Sequence, residues 1–254
     1  GTVGKNYEIN AKILDADINI NSDLKISNLS TDIKYVFNSV NDKEINFFIN
    51  QGKVLNLDLN KSSIDINFKD KKKIIKSKIK TSGISKYSEI KIISSLLGID
   101  LNNIKNIEFT SDLETSMKLW LDSKFKITDR EFTVRGKIND LNLEHKEVKS
   151  IKKFLPSYGS KIVLKDSEIS FNQANNLKLS GLIKIDKQFE DFILRYSGLT
   201  DKNFDISGKV NLYDLSLKIP NLNYSKEKNT KAEIDFHING SKFGYHIDRL
   251  LFSS

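Results

Sequence analysis

Apolar and polar residues alternate with a period of two along most of this chain, and few folds are compatible with that pattern. Leu55, Leu57 and Leu59, for example, alternate with Asn56 and Asp58. Successive side chains of a β-strand point to opposite faces, so each such segment has one apolar and one polar face. The same alternation recurs in Ile9–Ile13, Ile33–Phe37, Ile45–Ile49, Ile64–Phe68, Phe132–Ile138, Leu177–Ile185, Phe204–Leu212 and Ile234–Ile238. The chain is therefore predicted to be mainly β, with antiparallel strands and one face in water.

Three short stretches depart from the alternation and have helical spacing instead. Their apolar residues lie three or four positions apart, which predicts short amphipathic helices over Ser88–Leu97, Lys146–Leu155 and Lys187–Tyr196. Gly98 follows the first stretch and Pro156 the second, and both residue types are common where helices end. We therefore expect about three helices between runs of strands.

The residue content limits the kinds of functional site. Cysteine is absent, which excludes disulfides, thiolate catalysis and cysteine-based metal sites. No run approaches the roughly 18 consecutive apolar residues of a membrane helix. His145, His237 and His246 do not have a metal-ligand spacing, and no nucleophile elbow, Walker loop or dinucleotide fingerprint occurs. We expect no enzymatic activity, no metal and no cofactor.

Lysines are concentrated in one segment of a chain whose net charge is +8. Lys76, Lys78 and Lys80 would face one way from a strand, and they could contact anionic lipid headgroups or a membrane surface. Alternatively, they form a solvated outer face that discourages edge-to-edge aggregation. A nucleic-acid groove would need aromatic rings for stacking, and this segment has only Phe68. No nucleic-acid partner is expected.

A loose internal repeat indicates how the chain is organised. The pattern apolar-x-Gly-x-apolar occurs at Val134–Ile138, Leu179–Ile183 and Ile206–Val210. We predict one continuous β domain over residues 1–254, with possible repeat units at 1–86, 87–144, 145–186 and 187–254. Because the chain opens Gly-Thr-Val-Gly, we expect it to be a segment of a longer protein.

Two phrases of the sequence carry a family resemblance. They are similar to the C-terminal repeats of AsmA-like, YhdP and TamB proteins, and they read FDISGKVNLYDLSLKIP at Phe204–Pro220 and IVLKDSEISF at Ile162–Phe171. The predicted helix that leads into Phe154–Pro156 is similar to those repeats as well. The resemblance is clearest from Phe132 to Asn239. It implies a repeating β-groove: a long, strongly curved antiparallel sheet, open on one side. It also implies a periplasmic, inner-membrane-anchored protein that carries phospholipid or another acyl-chain lipid between inner and outer membranes.

The alternating residues define the predicted lipid-lining face of that groove. They are Ile9, Ile13, Ile33, Tyr35, Phe37, Ile45, Phe47, Ile49, Leu57, Ile66, Phe68, Phe132, Val134, Ile138, Leu177, Leu179, Ile183, Phe204, Ile206, Val210, Ile234 and Phe236. Alternation alone fits a closed β-sandwich equally well, because two sheets can bury their apolar faces against each other. The functional alternative is a structural or adhesive envelope protein without lipid cargo.

Overall fold

A computed structural model describes most of the chain. The described residues are 6–20, 22–69, 72–97, 101–146, 159–185, 188–200, 203–213, 216–219, 224–241 and 244–253. Within them no helix has the length and hydropathy of a membrane span.

Sixteen strands account for nearly all of the regular structure in the described residues. They are β1 Tyr7–Asn19, β2 Lys25–Ser39, β3 Asp42–Val54, β4 Leu57–Leu59, β5 Ser62–Lys69, β6 Lys72–Lys86, β7 Ile104–Leu121, β8 Ile127–His145, β9 Lys161–Asn172, β10 Asn176–Ile185, β11 Gln188–Thr200, β12 Asn203–Asn211, β13 Leu217–Ile219, β14 Tyr224–Lys226, β15 Glu233–Ser241 and β16 Gly244–Ser253. The prediction of a mainly β fold is confirmed.

Fourteen strands form one sheet, and each pair whose register is defined is antiparallel. The strand order is β1-β2-β3-β4-β6-β7-β8-β9-β10-β11-β12-β15-β16, and β5 pairs with both β3 and β6. β13 and β14 form a separate two-stranded ladder. Nearly every neighbour in the sheet is also a neighbour in sequence, as expected of a meander.

Two compact units make up the chain. Unit 1 comprises Gly1–Ile84 and Ser111–Arg135, and unit 2 comprises Ser85–Thr110 and Gly136–Ser254. The four repeat units expected from the sequence remain a prediction.

The helix prediction is correct in one place and wrong in another. α1 spans Tyr87–Leu97, and the Glu89 carboxylate accepts a hydrogen bond from the Lys86 backbone N–H at 2.8 Å near its start. Of the predicted helix over Lys187–Tyr196, residues 188–196 are instead part of β11, which is hydrogen-bonded to β10 on one side and β12 on the other. The predicted helix at Lys146–Leu155 falls almost wholly on residues 147–158, outside the described residues.

β-Bulges interrupt the ladders at residues with positive φ. In unit 1, Asp15 and Asn28 (both φ 52°) lie where the β1–β2 and β2–β3 registers shift. In unit 2, Asp166 (φ 47°) lies where the β9–β10 register shifts opposite Gly181. A bulge bends its strand and increases the local twist. Each unit therefore contains bulges that bend its strands.

Few side chains are fully buried. In the described part of the chain, the buried apolar residues are Leu29, Ile49, Leu59, Ile138, Leu164, Phe192, Leu212 and Ala232. The accessible surface of the 29.0 kDa chain is 16713 Å². Two separate compact domains of half that mass would together expose only about 13,700 Å². The chain thus exposes more surface than two such compact domains would.

Candidate functional site: the apolar sheet faces

In unit 1, cross-strand pairing places the predicted lining residues in rows. One row runs Ile9, Tyr35, Ile45, Ile66 and Ile75 across β1, β2, β3, β5 and β6. Directly paired residues of an antiparallel ladder point to the same face. Each row therefore forms a band of apolar side chains that runs across the strands.

Parallel rows extend this face along the strands. Ala11, Ile33, Phe47 and Ile64 form the next row. Beyond it, the buried residues Leu29, Ile49 and Leu59 pack together. The predicted lining residues that share this face of unit 1 are Ile9, Ile13, Ile33, Tyr35, Phe37, Ile45, Phe47, Ile49, Leu57, Ile66 and Phe68. We call it the unit 1 apolar face.

The apolar face is only partly covered even in the middle strands. Ile33, Phe47 and Ile66, which lie on β2, β3 and β5, are half-buried. On the edge strand β1, Ile9 is 53% exposed. Of all the predicted lining residues, only Ile49 and Ile138 are buried.

The opposite face of unit 1 is polar and has paired charges. Its rows include Asn10, Lys34, Asn46 and Asp65, which lie directly opposite one another across the strands. The Lys34 ammonium lies 2.9 Å from the Glu8 carboxylate, and this hydrogen bond lowers the pKa of Glu8 below its usual value. Exposed pairs of this kind contribute little to stability. Each such pair does, however, neutralise the charge of its lysine within the protein.

The three lysines singled out in the sequence lie on this polar face. Lys76 is directly opposite Asp65. The ammonium groups of Lys78 and Lys80 lie 3.2 and 3.8 Å from the Glu114 carboxylate. They lie on the face opposite the apolar rows. A lipid with its tail on the apolar face would therefore not place its headgroup against these lysines.

A row of aromatic and lysine side chains borders the unit 1 apolar face. Pairing places Tyr7, Phe37, Lys43, Phe68 and Lys73 side by side across β1, β2, β3, β5 and β6. With Phe125, from the turn between β7 and β8, they form what we call the aromatic–lysine rim.

The rim residues contact one another closely. The Tyr7 and Phe37 rings stack at 4.8 Å between centroids, and a side-chain hydrogen bond with Tyr35 raises the pKa of Tyr7. The Lys73 ammonium lies 3.2 Å from the centroid of the Phe125 ring and donates to the Ser123 carbonyl at 2.7 Å.

Two further contacts complete the rim. The Lys43 ammonium lies 5.5 Å from the centroid of the Phe37 ring. The Phe68 and Phe125 rings meet edge to face, with their centroids 6.4 Å apart. Both lysines of the rim are therefore held against aromatic rings at the border of the apolar face.

Unit 2 has an apolar face of its own. Phe171, Leu177, Tyr196, Ile206 and Ile238 form one row across β9, β10, β11, β12 and β15. The predicted lining residues on this face are Leu177, Leu179, Ile183, Phe204, Ile206, Val210, Ile234 and Phe236. The remaining predicted residues, Phe132, Val134 and Ile138, all lie on β8.

The polar face of unit 2 contains a histidine–carboxylate cluster. The His237 ring nitrogen Nε2 lies within hydrogen-bond distance of the Asp205 carboxylate, and its Nδ1 lies 3.4 Å from Asp248. His246 Nε2 lies 3.4 Å from the same Asp248 carboxylate. Within the described residues no group of three or more such side chains could hold a metal ion.

Several residues of these faces were not singled out in the sequence. Leu194 and Tyr196 of unit 2 were hidden by the helical spacing of their segment. Lys43 and Lys73 were also not identified, because only the strand register places them beside Phe37 and Phe68.

A comparison with known protein families, with curated proteins and with solved structures finds no match to this chain.

Proposed function

We propose that this chain holds phospholipid or another acyl-chain lipid on its apolar sheet faces. In the organisation that the sequence resemblance implies, it is a segment of a periplasmic, inner-membrane-anchored protein that conducts such lipid between inner and outer membranes. The proposal includes no catalytic residue, no cofactor and no nucleic-acid partner.

The observation that carries the proposal is the partial exposure of apolar side chains in the middle of the sheet. Ile33, Phe47 and Ile66 have hydrogen-bonded strands on both sides, yet they are only half-buried. If a second sheet packed on this face, as in a closed sandwich, such central side chains would be fully buried. The pattern favours a face that is open to a small apolar ligand.

Energetics supports the same view. Exposed apolar surface costs about 25 cal/mol per Å², so a broad apolar face in water favours any molecule that covers it. Contiguous exposed apolar patches on soluble proteins commonly mark binding surfaces. Acyl chains are well suited because they fill irregular apolar surface without needing directional hydrogen bonds.

The bulges are consistent with a curved face. Asp15 and Asn28 in unit 1, and Asp166 in unit 2, bend their strands at the register shifts. Curvature would make an apolar face concave and would let it surround a lipid tail more completely than a flat sheet could.

Two adjacent phenylalanines allow a matched test. Phe47 lies on the unit 1 apolar face, and Phe48 lies on the polar face, where it is 49% exposed. We expect Phe47→Asp to reduce the amount of phospholipid that copurifies with the chain, because a carboxylate on the apolar face must be desolvated by the tail. Phe48→Asp makes the same chemical change on the other face and should leave the lipid content unchanged. Copurified lipid is measured by extraction and mass spectrometry.

Photo-crosslinking supplies a second measurement. A photoreactive amino acid at position 47 should crosslink to phospholipid acyl chains, and one at position 48 should not. Equal crosslinking from both positions would contradict the proposal. Wild-type chain recovered without any lipid from a membrane-containing lysate would favour the structural or adhesive alternative.

A further inference from the structure

We propose that the aromatic–lysine rim of unit 1 binds the anionic headgroup of the lipid, so that the preferred ligand is an acyl amphiphile with a phosphate or other anionic head. This inference rests on the proposed function. It adds a headgroup site to the tail site, at Lys43 and Lys73.

The local charge balance distinguishes these two lysines from Lys12 and Lys34. On the polar face, Lys12 lies 3.3 Å from Asp32, and Lys34 lies 2.9 Å from Glu8. Among the described residues, no carboxylate lies within ion-pair distance of Lys43 or Lys73. Lys12 and Lys34 are therefore neutralised within the protein, and the two rim lysines have charge available for an external anion.

The aromatic rings hold these cations at the border of the apolar face. Lys73 lies against the Phe125 ring, and Lys43 lies over the Phe37 ring. Both lysines are half-buried, as long basic side chains are when their stems cover apolar surface. Tyr7 and Lys43 border the apolar rows as amphipathic side chains do where hydrocarbon meets water.

The spacing also fits an amphiphile. Lys43 and Lys73 lie two strands apart, with about 10 Å between their backbones, so both cations border the same part of the apolar face. From Lys43 to the buried Ile49, β3 extends about 20 Å over apolar rows. A lipid tail spans about 15 Å, half the thickness of a bilayer core. A head at the rim therefore places its tail on the rows that contain Tyr35, Ile45 and Phe47.

The test compares amphiphiles that share a tail and differ in the head. Binding of dodecyl phosphate and of the uncharged dodecyl maltoside is measured by titration calorimetry below their micelle concentrations. The variants are Lys43→Gln/Lys73→Gln at the rim and Lys12→Gln/Lys34→Gln on the polar face, which remove the same charge. We expect the rim variant to bind dodecyl phosphate about 30-fold more weakly, from the usual contribution of a lysine near an anionic lipid head. Its affinity for dodecyl maltoside should be unchanged, and the polar-face variant should behave like wild type.

The possible failures point to different errors. If wild type binds neither amphiphile, or if it self-associates through this face and excludes both, the proposed function and this inference both fail. If wild type binds both with equal affinity and the rim variant changes neither, only the headgroup inference fails. Equal weakening by the polar-face variant would show a general charge effect and would overturn the inference. So would binding of inorganic phosphate as tightly as dodecyl phosphate, because the rim would then be a simple anion site.

Discussion

Replacing Gly181 with alanine tests the bulge that bends β9 against β10. An added Cβ at Gly181 would lie 2.5 Å from both Cα and Oγ of Ser167 and 2.9 Å from the Asp166 carbonyl oxygen. Ser167 is completely buried, so it has no free space into which it could move. Gly181 also has a φ of 157°, which side-chain-bearing residues rarely adopt.

The expected cost has two sources. Overpacking of this kind costs about 1–3 kcal/mol, and a rarely populated backbone conformation costs a further about 1–3 kcal/mol. For a chain of this size, the melting temperature falls by about 2–4 °C per kcal/mol. Even the smallest combination predicts that Gly181→Ala lowers the melting temperature by about 4 °C.

The assay is thermal unfolding followed by circular dichroism, with Gly159→Ala as the matched control. Among the described residues, a Cβ at Gly159 has one atom within range, the Lys161 backbone nitrogen at 3.9 Å. The control should melt at the wild-type temperature or slightly above it, because alanine restricts the unfolded chain. If Gly181→Ala melts with wild type, Gly181 and Ser167 are not in close contact, and the bulge geometry described here is wrong.

Two further predictions concern β11 and one surface carboxylate. Phe192→Ala should destabilise the chain by about 3–5 kcal/mol in urea unfolding, because Phe192 is buried. Phe189→Ala, on the exposed opposite face, should cost under about 1 kcal/mol. If the two variants lost similar free energies of unfolding, the two rings would share one face, as in the predicted helix. A hydrogen bond from Lys25 lowers the pKa of Asp17 in the folded chain. The ionised Asp17 carboxylate therefore stabilises the fold fully above its unfolded-state pKa, and this stabilisation is lost as the pH falls through its folded-state pKa. Asp17→Asn should therefore lower the melting temperature at neutral pH but not in strong acid; an equal effect at both pH values would contradict this.

In the strands whose apolar and polar residues alternate, the sequence was sufficient to predict which residues share a face. Ile45 and Phe47 alternate with polar or outward residues, and the structure places them on one face with Ile33 and Ile66. This succeeds because the two-residue period is a local property of the strand. A one-residue change of register would have reversed the face, so the turns and bulges also had to agree.

In β11 the spacing of the apolar residues was misleading. Phe189, Phe192, Ile193 and Tyr196 have the spacing of a helical stripe, yet in the strand Phe192 and Tyr196 share one face while Phe189 and Ile193 share the other. Both faces carry apolar residues, so no alternation was visible. Aromatic and β-branched residues favour strands, and ladder partners on both sides decide the outcome. Those partners are distant in sequence.

The rim could not be predicted for a related reason. Lys43 lies beside Phe37 and Phe68 only because β3 pairs with β2 and β5 in one particular register. Phe125 approaches Lys73 through a turn that is about 50 residues away in sequence. Sequence alternation assigns each residue to a face, but it does not say which residues of different strands are neighbours.

The exposure of the apolar faces changes from the edge strand to the inner strands of each unit. In unit 1, Ile9 on the edge strand β1 is 53% exposed, whereas its row neighbours Tyr35 and Ile45 are half-buried. In unit 2, Ile247 on the edge strand β16 is 47% exposed, and its row neighbour Ile238 is half-buried. In these two rows burial increases when a second neighbouring strand is added but stays incomplete, whereas Ile49 and Phe192 on the same two faces are buried. Side chains covered only by their lateral neighbours follow this gradient, whereas a second layer would bury the central strands completely. Because alternation is the same in both cases, exposure along a row is the property that separates an open apolar face from a closed core.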